Sequence, residues 1–324
     1  MQNNNSKAED SLTQARNIFL QMGDQLGVAQ SVQSLGIVYR SRNKYSKAEE
    51  VLLQACNIYS EIGDQLGLAG VVKSLGHVYF LRSEYSRAEE SYIQARSLFS
   101  QIGNQLGFAQ VSSGLGDLYL SRHEYSKAEE SYVKACDISS RIGDQLDFAQ
   151  SINSLGDAYL MQGEVSKAEE SYIQARNTFS RIGDDSGFAR LVNSLGNMYY
   201  MRGEHAKAEE SFIRGRDIFS QQGDQLGFAN SLVGLGQAQG RQGKYSQAEN
   251  SYFEARQIFS RIGDRRGSAN IARLLGYLHY EQAHYQDAER LICEASRIYN
   301  EIGLEQDTAD CNDSLVAIRQ STKS

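Results

Sequence analysis

Proline and tryptophan are absent from the 324 residues, and cysteine, histidine and methionine are scarce at four, five and five. Without proline no position loses its backbone donor, so helices can run uninterrupted. No apolar run approaches the roughly 18 residues that a membrane helix needs, which argues against a membrane partner. The start, MQNNNSKAED, lacks the basic, apolar and small-residue regions of a secretory signal, so the cytoplasm is the expected location. A formal net charge of −7 is spread along the chain without a basic stripe, so no nucleic acid is expected as a partner. With 40% hydrophobic and 23% charged residues, the composition is that of a folded soluble chain.

The few cysteines and histidines exclude further chemistry. Cys56 and Cys136 hold the same place in repeat units two apart, too distant to bridge, and Arg16, Arg96 and Arg176 fill that place elsewhere. All four cysteines are therefore expected as free structural thiols. His77, His123, His205, His279 and His284 form no HExxH and no i,i+4 pair, and there is no CxxC. No metal and no cofactor are expected.

What the chain has instead is a forty-residue period without insertion. Gly23, Gly63, Gly103 and their successors to Gly303 are all glycine, as Ala8 to Ala288 are all alanine and Leu35 to Leu315 all leucine at that spacing. Each unit reads as two helices. Asp24, Asp64 and Asp144 follow the periodic glycine, which suits a left-handed helix end and a new N-cap opening helix A. Ser46 with Glu49, Ser126 with Glu129 and Ser166 with Glu169 have the spacing of a capping box, expected to open helix B. On helix A, Ala29, Val32, Leu35, Gly36 and Tyr39 fall on one arc of roughly 120°. On helix B, Ala48, Leu52, Ala55, Ile58 and Tyr59 share a side, with Lys47, Glu49 and Glu50 expected to face water. No such hairpin buries its stripe alone, so neighbours must stack into an all-α solenoid of antiparallel helix pairs.

The unit resembles the tetratricopeptide repeat. The Leu-Gly-x-x-Tyr signature stands as Leu35-Gly36-Ile37-Val38-Tyr39 and Leu155-Gly156-Asp157-Ala158-Tyr159, followed at the family's spacing by Ala168, Tyr172 and Ala175. Val32, Val72 and Ile152 replace the family's Trp, Ser60, Ser100 and Ser180 its Pro, and the period is forty rather than thirty-four. In this it is similar to the longer-repeat branch with adaptors of the Pins and LGN type, and to arrays at the C-terminal end of fungal immune-type nucleotide-binding receptors. The resemblance implies a right-handed superhelix whose concave wall, built mainly from helix A, holds a peptide or protein segment.

Differences between units bear on that implication. In helix A the most varied columns are those of residues 30, 33, 37, 40 and 41, an arc of about 100°. The column at 33 includes Gln33, Lys73, Asn153, Asn193 and Arg273; that at 37 includes His77, Asp117, Asp157, Asn197, Gln237 and Tyr277. Arg190, Tyr200 and Tyr280 come from the other varied columns. Asp117, Asn153, Asp157, Asn193 and Asn197 form a row of short polar side chains suited to an extended peptide backbone, while Tyr277, Tyr280, Arg190 and Arg273 offer aromatic and cationic anchors. Drift of a solvated face is the bland alternative, against which KAEES and its near copies recur on the outer face of helix B through most of the array.

Catalysis is not expected. Glu129-Glu130 recurs in most units, GLGQAQG at Gly234–Gly240 has neither dinucleotide-loop spacing nor a preceding strand, and Asp117 and Asp157 should lie a repeat apart. The array is expected as a single solenoid over 1–324, with a helix B over 1–22, seven pairs over 23–302 and a cap-like helix A over 303–324, where Asn312, Val316 and Arg319 replace buried-column residues. Its two half units invite head-to-tail self-association, against which the polar cap counts. Three functions stay open: a non-catalytic scaffold that binds a peptide or protein, a ligand-sensing module of a larger signalling receptor, and a structural self-assembling array.

Overall fold

The computed structural model describes residues 2–321, with side chains over 7–321. Among them the chain forms α1 (Gln2–Met22) and then pairs: α2 (Gln25–Ser41) with α3 (Tyr45–Ile62), α4 (Gln65–Leu81) with α5 (Tyr85–Gln101), α6 (Gln105–Ser121) with α7 (Tyr125–Ile142), and α8 (Gln145–Met161) with α9 (Val165–Ile182). Next come α10 (Asp185–Met201) with α11 (His205–Gln222), α12 (Gln225–Arg241) with α13 (Tyr245–Ile262), α14 (Arg265–Glu281) with α15 (Tyr285–Glu301), and finally α16 (Glu305–Ser321). The described residues form no strand. Turns of two or three residues reverse the direction at each step, so the fold is the expected all-α stack of antiparallel helix pairs. Contacts divide the chain into two compact units, 1–171 and 172–324.

The forty-residue signals act as follows. Gly63 and Gly143 sit at φ 75° and 76°, a left-handed conformation that glycine enters without a Cβ penalty. The next residue caps the following helix: Asp64 Oδ1 accepts from the Gly67 amide at 2.9 Å and Asn104 Oδ1 from that of Gly107 at 2.7 Å.

Helix B starts differently from the expectation. Residues 42–44 form a tight turn in which the Lys44 amide donates to the Tyr39 carbonyl at 2.9 Å. That return places the helix start at Tyr45, with Lys44 as an N-cap that makes no side-chain bond, so Ser46 already lies inside the first turn. The same holds at Glu124 and Tyr125. The capping box is thus not formed, and its glutamate is not a cap facing water. Glu89 accepts from Tyr119 Oη at 2.8 Å and from Arg122 at 2.7 Å, both at the end of the next helix A. Glu9 accepts from Tyr39 and Arg42, and Glu49 from Tyr79, Arg82 and Arg87. This glutamate column is an inter-repeat clamp.

Packing explains two further constant columns. A Cβ on Gly116 would lie 2.5 Å from the Tyr132 ring, and one on Gly107 2.4 Å from the Phe99 ring, so glycine at these places is what lets an aromatic from helix B cross helix A. Tyr132 and Phe99 are accordingly buried, each burial contributing about 1.5–3 kcal/mol. The fourth unit breaks the second rule on both sides at once, having Asp147 in the Gly107 column and Ser139 in the Phe99 column. The side chain gained by helix A stands where the ring was lost by helix B.

The four cysteines are free; Cys136 and Cys311 are buried, Cys56 half-buried and Cys293 exposed. No described helix is long and apolar enough to cross a membrane.

Candidate binding surface on the first helices

In the first unit α2 touches α4, α4 touches α6 and α6 touches α8, so helices A form a continuous wall. The varied arc begins only about 20–40° from the buried arc, at the columns of 40 and 33. Those columns are therefore mostly half-buried, whereas Ile37, His77 and Asp117 are exposed.

A hollow of about 230 Å³ opens on this wall, lined by Lys73 and His77 of α4, Gln110, Ser113 and Asp117 of α6, and Arg40 of α2, with Phe80 and Tyr92 among its apolar lining. Arg40 Nη1 donates to His77 Nδ1 at 3.3 Å. Lys73 Nζ donates to Gln110 Oε1 at 2.6 Å, and Gln110 Nε2 donates on to Asp147 Oδ2 at 3.0 Å. Solvent reaches His77, but the wall surrounds it, and desolvation with the nearby charges of Arg40 and Lys73 pushes its pKa down to about 4. Desolvation likewise lowers Lys73 and Arg40. Asp117 accepts from Tyr132 Oη at 2.6 Å, yet desolvation, reinforced by Asp157, raises its carboxyl to about 6.

In the second unit α10, α12 and α14 touch in the same manner, and a hollow of about 440 Å³ is lined by Asn197, Asn230, Gln237, Asn270 and Arg273. Arg273 Nη2 donates to Asn270 Oδ1 at 3.1 Å, and its guanidinium lies 3.6 Å from Asp307 and 5.7 Å from the Tyr299 ring centre. Its Nε is buried without a hydrogen-bond partner.

The expected site residues thus divide. Lys73, His77 and Asp117 meet in one hollow and Asn197, Gln237 and Arg273 in the other. Gln33 is occupied by Tyr59 Oη at 2.9 Å, Asp157 is half-buried beside the first hollow's acidic end, and Arg190 is exposed outside both. Tyr200 accepts from Arg241 at 3.1 Å, while Tyr277 and Tyr280 pair with Ser314 at 3.1 Å and Ser321 at 3.0 Å. The row of exposed asparagines is not there. Asn153 is buried, and Asn193 exchanges hydrogen bonds with Ser231 at 2.9 and 3.0 Å, in space left by Gly215 where other units have alanine. Only Asn197 of the three is exposed.

Arg40, Gln110, Asn230 and Asn270 were readable from the varied columns at 30 and 40. Tyr92 and Tyr299 come from helix B, where nothing in the periodic pattern distinguishes a ring that reaches through to the far side. Among the described residues no group of three His, Cys, Asp or Glu side chains is placed to hold a metal ion.

Stacked helix pairs whose helices A carry the variation define a helical-repeat protein. Residues 69–141, 147–221, 187–261 and 227–301 match a Tetratricopeptide repeat profile and residues 28–62 a second one; the chain belongs to the tetratricopeptide repeat family. No significant match is found among curated proteins. Among solved structures, aspartyl phosphate phosphatase F from Bacillus subtilis is similar with a TM-score of 0.68 at 11% identity, over 87% of this chain and 73% of that one. The Rap conjugation gene regulator of plasmid pLS20, solved with the Phr* peptide, aligns over 99% of this chain and 96% of its own with a TM-score of 0.63 at 14% identity. The signal transduction ATPase with a tetratricopeptide repeat sensor from Pyrococcus horikoshii gives 0.59 at 12% identity, over 96% of this chain and 53% of that one. At these identities the likeness is one of fold.

Proposed function

We propose that the chain is a non-catalytic scaffold that binds a peptide or protein segment along the helix A wall. One observation carries the reading. The hollows of both units are lined by the same varied columns, those of 30, 33 and 37, contributed in each case by successive helices A. Drift of a solvated surface does not choose the columns that line a hollow. The glutamate clamp removes part of the comparison with helix B, since that column is held by its bonds. The neighbouring exposed column keeps glutamate in five units, Glu50, Glu90, Glu130, Glu170 and Glu210, and changes in three, to Asp10, Asn250 and Arg290, so an exposed column of helix B varies less than those of helix A. The Rap regulator solved with a peptide shows that a similar fold accommodates such a ligand.

The test is selection of a displayed random-peptide library on the full chain, with Asn197→Ala/Gln237→Ala/Arg273→Ala and Lys73→Ala/His77→Ala/Asp117→Ala as counter-screens, one for each hollow. Loss of the selected peptides on either variant supports the reading; peptides that bind the parent and both variants equally, or none at all, contradict it. A second reading, a sensing module within a larger signalling protein, is favoured by the archaeal ATPase, about half of whose length this chain covers.

A further inference from the structure

We infer that the hollow of the first unit selects a bipolar segment, seating an anionic side chain between Arg40, Lys73 and His77 and a cationic one beside it at Asp117. This rests on the reading of the helix A wall as a peptide site and names the chemistry of its ligand.

The first observation is a missing counter-charge. Along this unit's clamp, cations meet carboxylates: Arg122 pairs with Glu89 and Glu124 at 2.7 Å, and Lys127 with Glu124 at 2.6 Å. In the hollow they do not. Among the described residues Arg40 meets the ring nitrogen of His77 and Lys73 the amide of Gln110, and neither forms an ion pair. The carboxylate of Asp147 reaches Lys73 only through Gln110. Like charges withdrawn from water without an opposite partner are an unfavourable arrangement, relieved when a ligand brings the anion. The arrangement does not follow from a generally basic surface, since the chain carries a net charge of −7.

The second observation is independent and of opposite sign. Asp117 lines the same hollow, takes one hydrogen bond from Tyr132, and has Asp157 rather than a cation as its charged neighbour. The cations stand on α2 and α4 and the acids on α6 and α8, which fixes the order of charge along the wall. Between them the surface is neutral: Gln110 and Ser113 carry no charge and are bonded to Lys73, Asp147 and Ser151, and Gly114 leaves the Tyr92 ring open, since a Cβ there would come within 3.1 Å of it. About 230 Å³ holds roughly seven waters' volume, space for two side-chain ends.

The experiment uses the library selection on the full chain. Enriched peptides are expected to carry an acidic and a basic residue at a fixed spacing. A synthetic copy of one, with blocked ends, is then titrated by fluorescence anisotropy against the parent and against Arg40→Gln/Lys73→Gln, which removes repulsion and should fold at least as stably by thermal melting. Glu→Gln in the peptide should weaken binding to the parent about tenfold and leave binding to the variant unchanged, the signature of a direct pair. Asp117→Asn should do the same for the peptide's basic residue. Enriched peptides without charge bias, or a Glu→Gln effect equal on both chains, overturn the inference while the groove reading stands. A selection that yields no binder overturns both.

Discussion

At the residue scale the most telling exchange is the paired departure of Ser139 and Asp147. Six other units place a ring of helix B against a glycine of helix A, with Cβ clearances of 2.2 to 2.5 Å. A ring at 139 would meet the side chain at 147 where the six glycines leave it room; a ring and a side chain share these columns at the end of the array, as Tyr299 and Asp307. Ser139→Phe alone is therefore expected to destabilise by about 1–3 kcal/mol through overpacking, and Asp147→Gly to restore it in the double variant. Urea denaturation of the four members of that cycle checks the coupling; additive effects would contradict it. The buried, unpartnered Ser139 hydroxyl makes recovery beyond the parent's stability the expected result.

Two groups in the first hollow make stability depend on pH in opposite senses. The raised carboxyl of Asp117 keeps its proton in the folded state up to about pH 6, when the unfolded chain has released it from about pH 4. Its contribution is thus lost as pH rises through 6. The lowered pKa of His77 means that the unfolded chain takes up the proton first, so its contribution falls as pH drops from about 6.5 towards 4. Relative to the parent, Asp117→Asn should show a melting temperature that rises more steeply between pH 4 and 6, and His77→Gln one that rises less. Parallel profiles for all three chains would contradict the assignment.

At the scale of the element, the A-to-B turn needs a left-handed residue at its centre. Gly163, Gly203 and Gly243 supply it, but Ala283 stands there at φ 60°. Left-handed alanine costs about 1–2 kcal/mol, offset in part by the greater unfolded-state entropy of glycine. Ala283→Gly should stabilise by about 0.5–1 kcal/mol, measured as a higher urea midpoint at unchanged slope. The clamp gives a second expectation. Glu49 is mostly buried and accepts from three side chains of the next unit, so Glu49→Ala should destabilise by about 1–2 kcal/mol, where a water-facing glutamate would leave the midpoint unchanged.

The elements were legible because each has its own local signal: glycine and Asp for the B-to-A turn, a one-sided apolar stripe for each helix. The start of helix B was misread because Ser-x-x-Glu has two uses, and only the return of the Lys44 amide to Tyr39 shows that the glutamate belongs to the next unit. The surface was legible as columns but not as partners. Sequence variation pointed to Lys73, His77 and Asp117, and it pointed equally to Asn193, whose bond to Ser231 depends on Gly215 on a neighbouring helix.

At the scale of the whole molecule, the forty-residue frame sets constant columns against varied ones, and the account stands on the varied ones being a binding wall. The most direct measurement is hydrogen–deuterium exchange of the full chain with and without a saturating, library-selected peptide. Slower exchange confined to the helices that line a hollow, α4 and α6 in the first unit or α12 and α14 in the second, with α3, α5, α11 and α13 unchanged, is the predicted result. Protection centred on the outer faces of those helices B would contradict it.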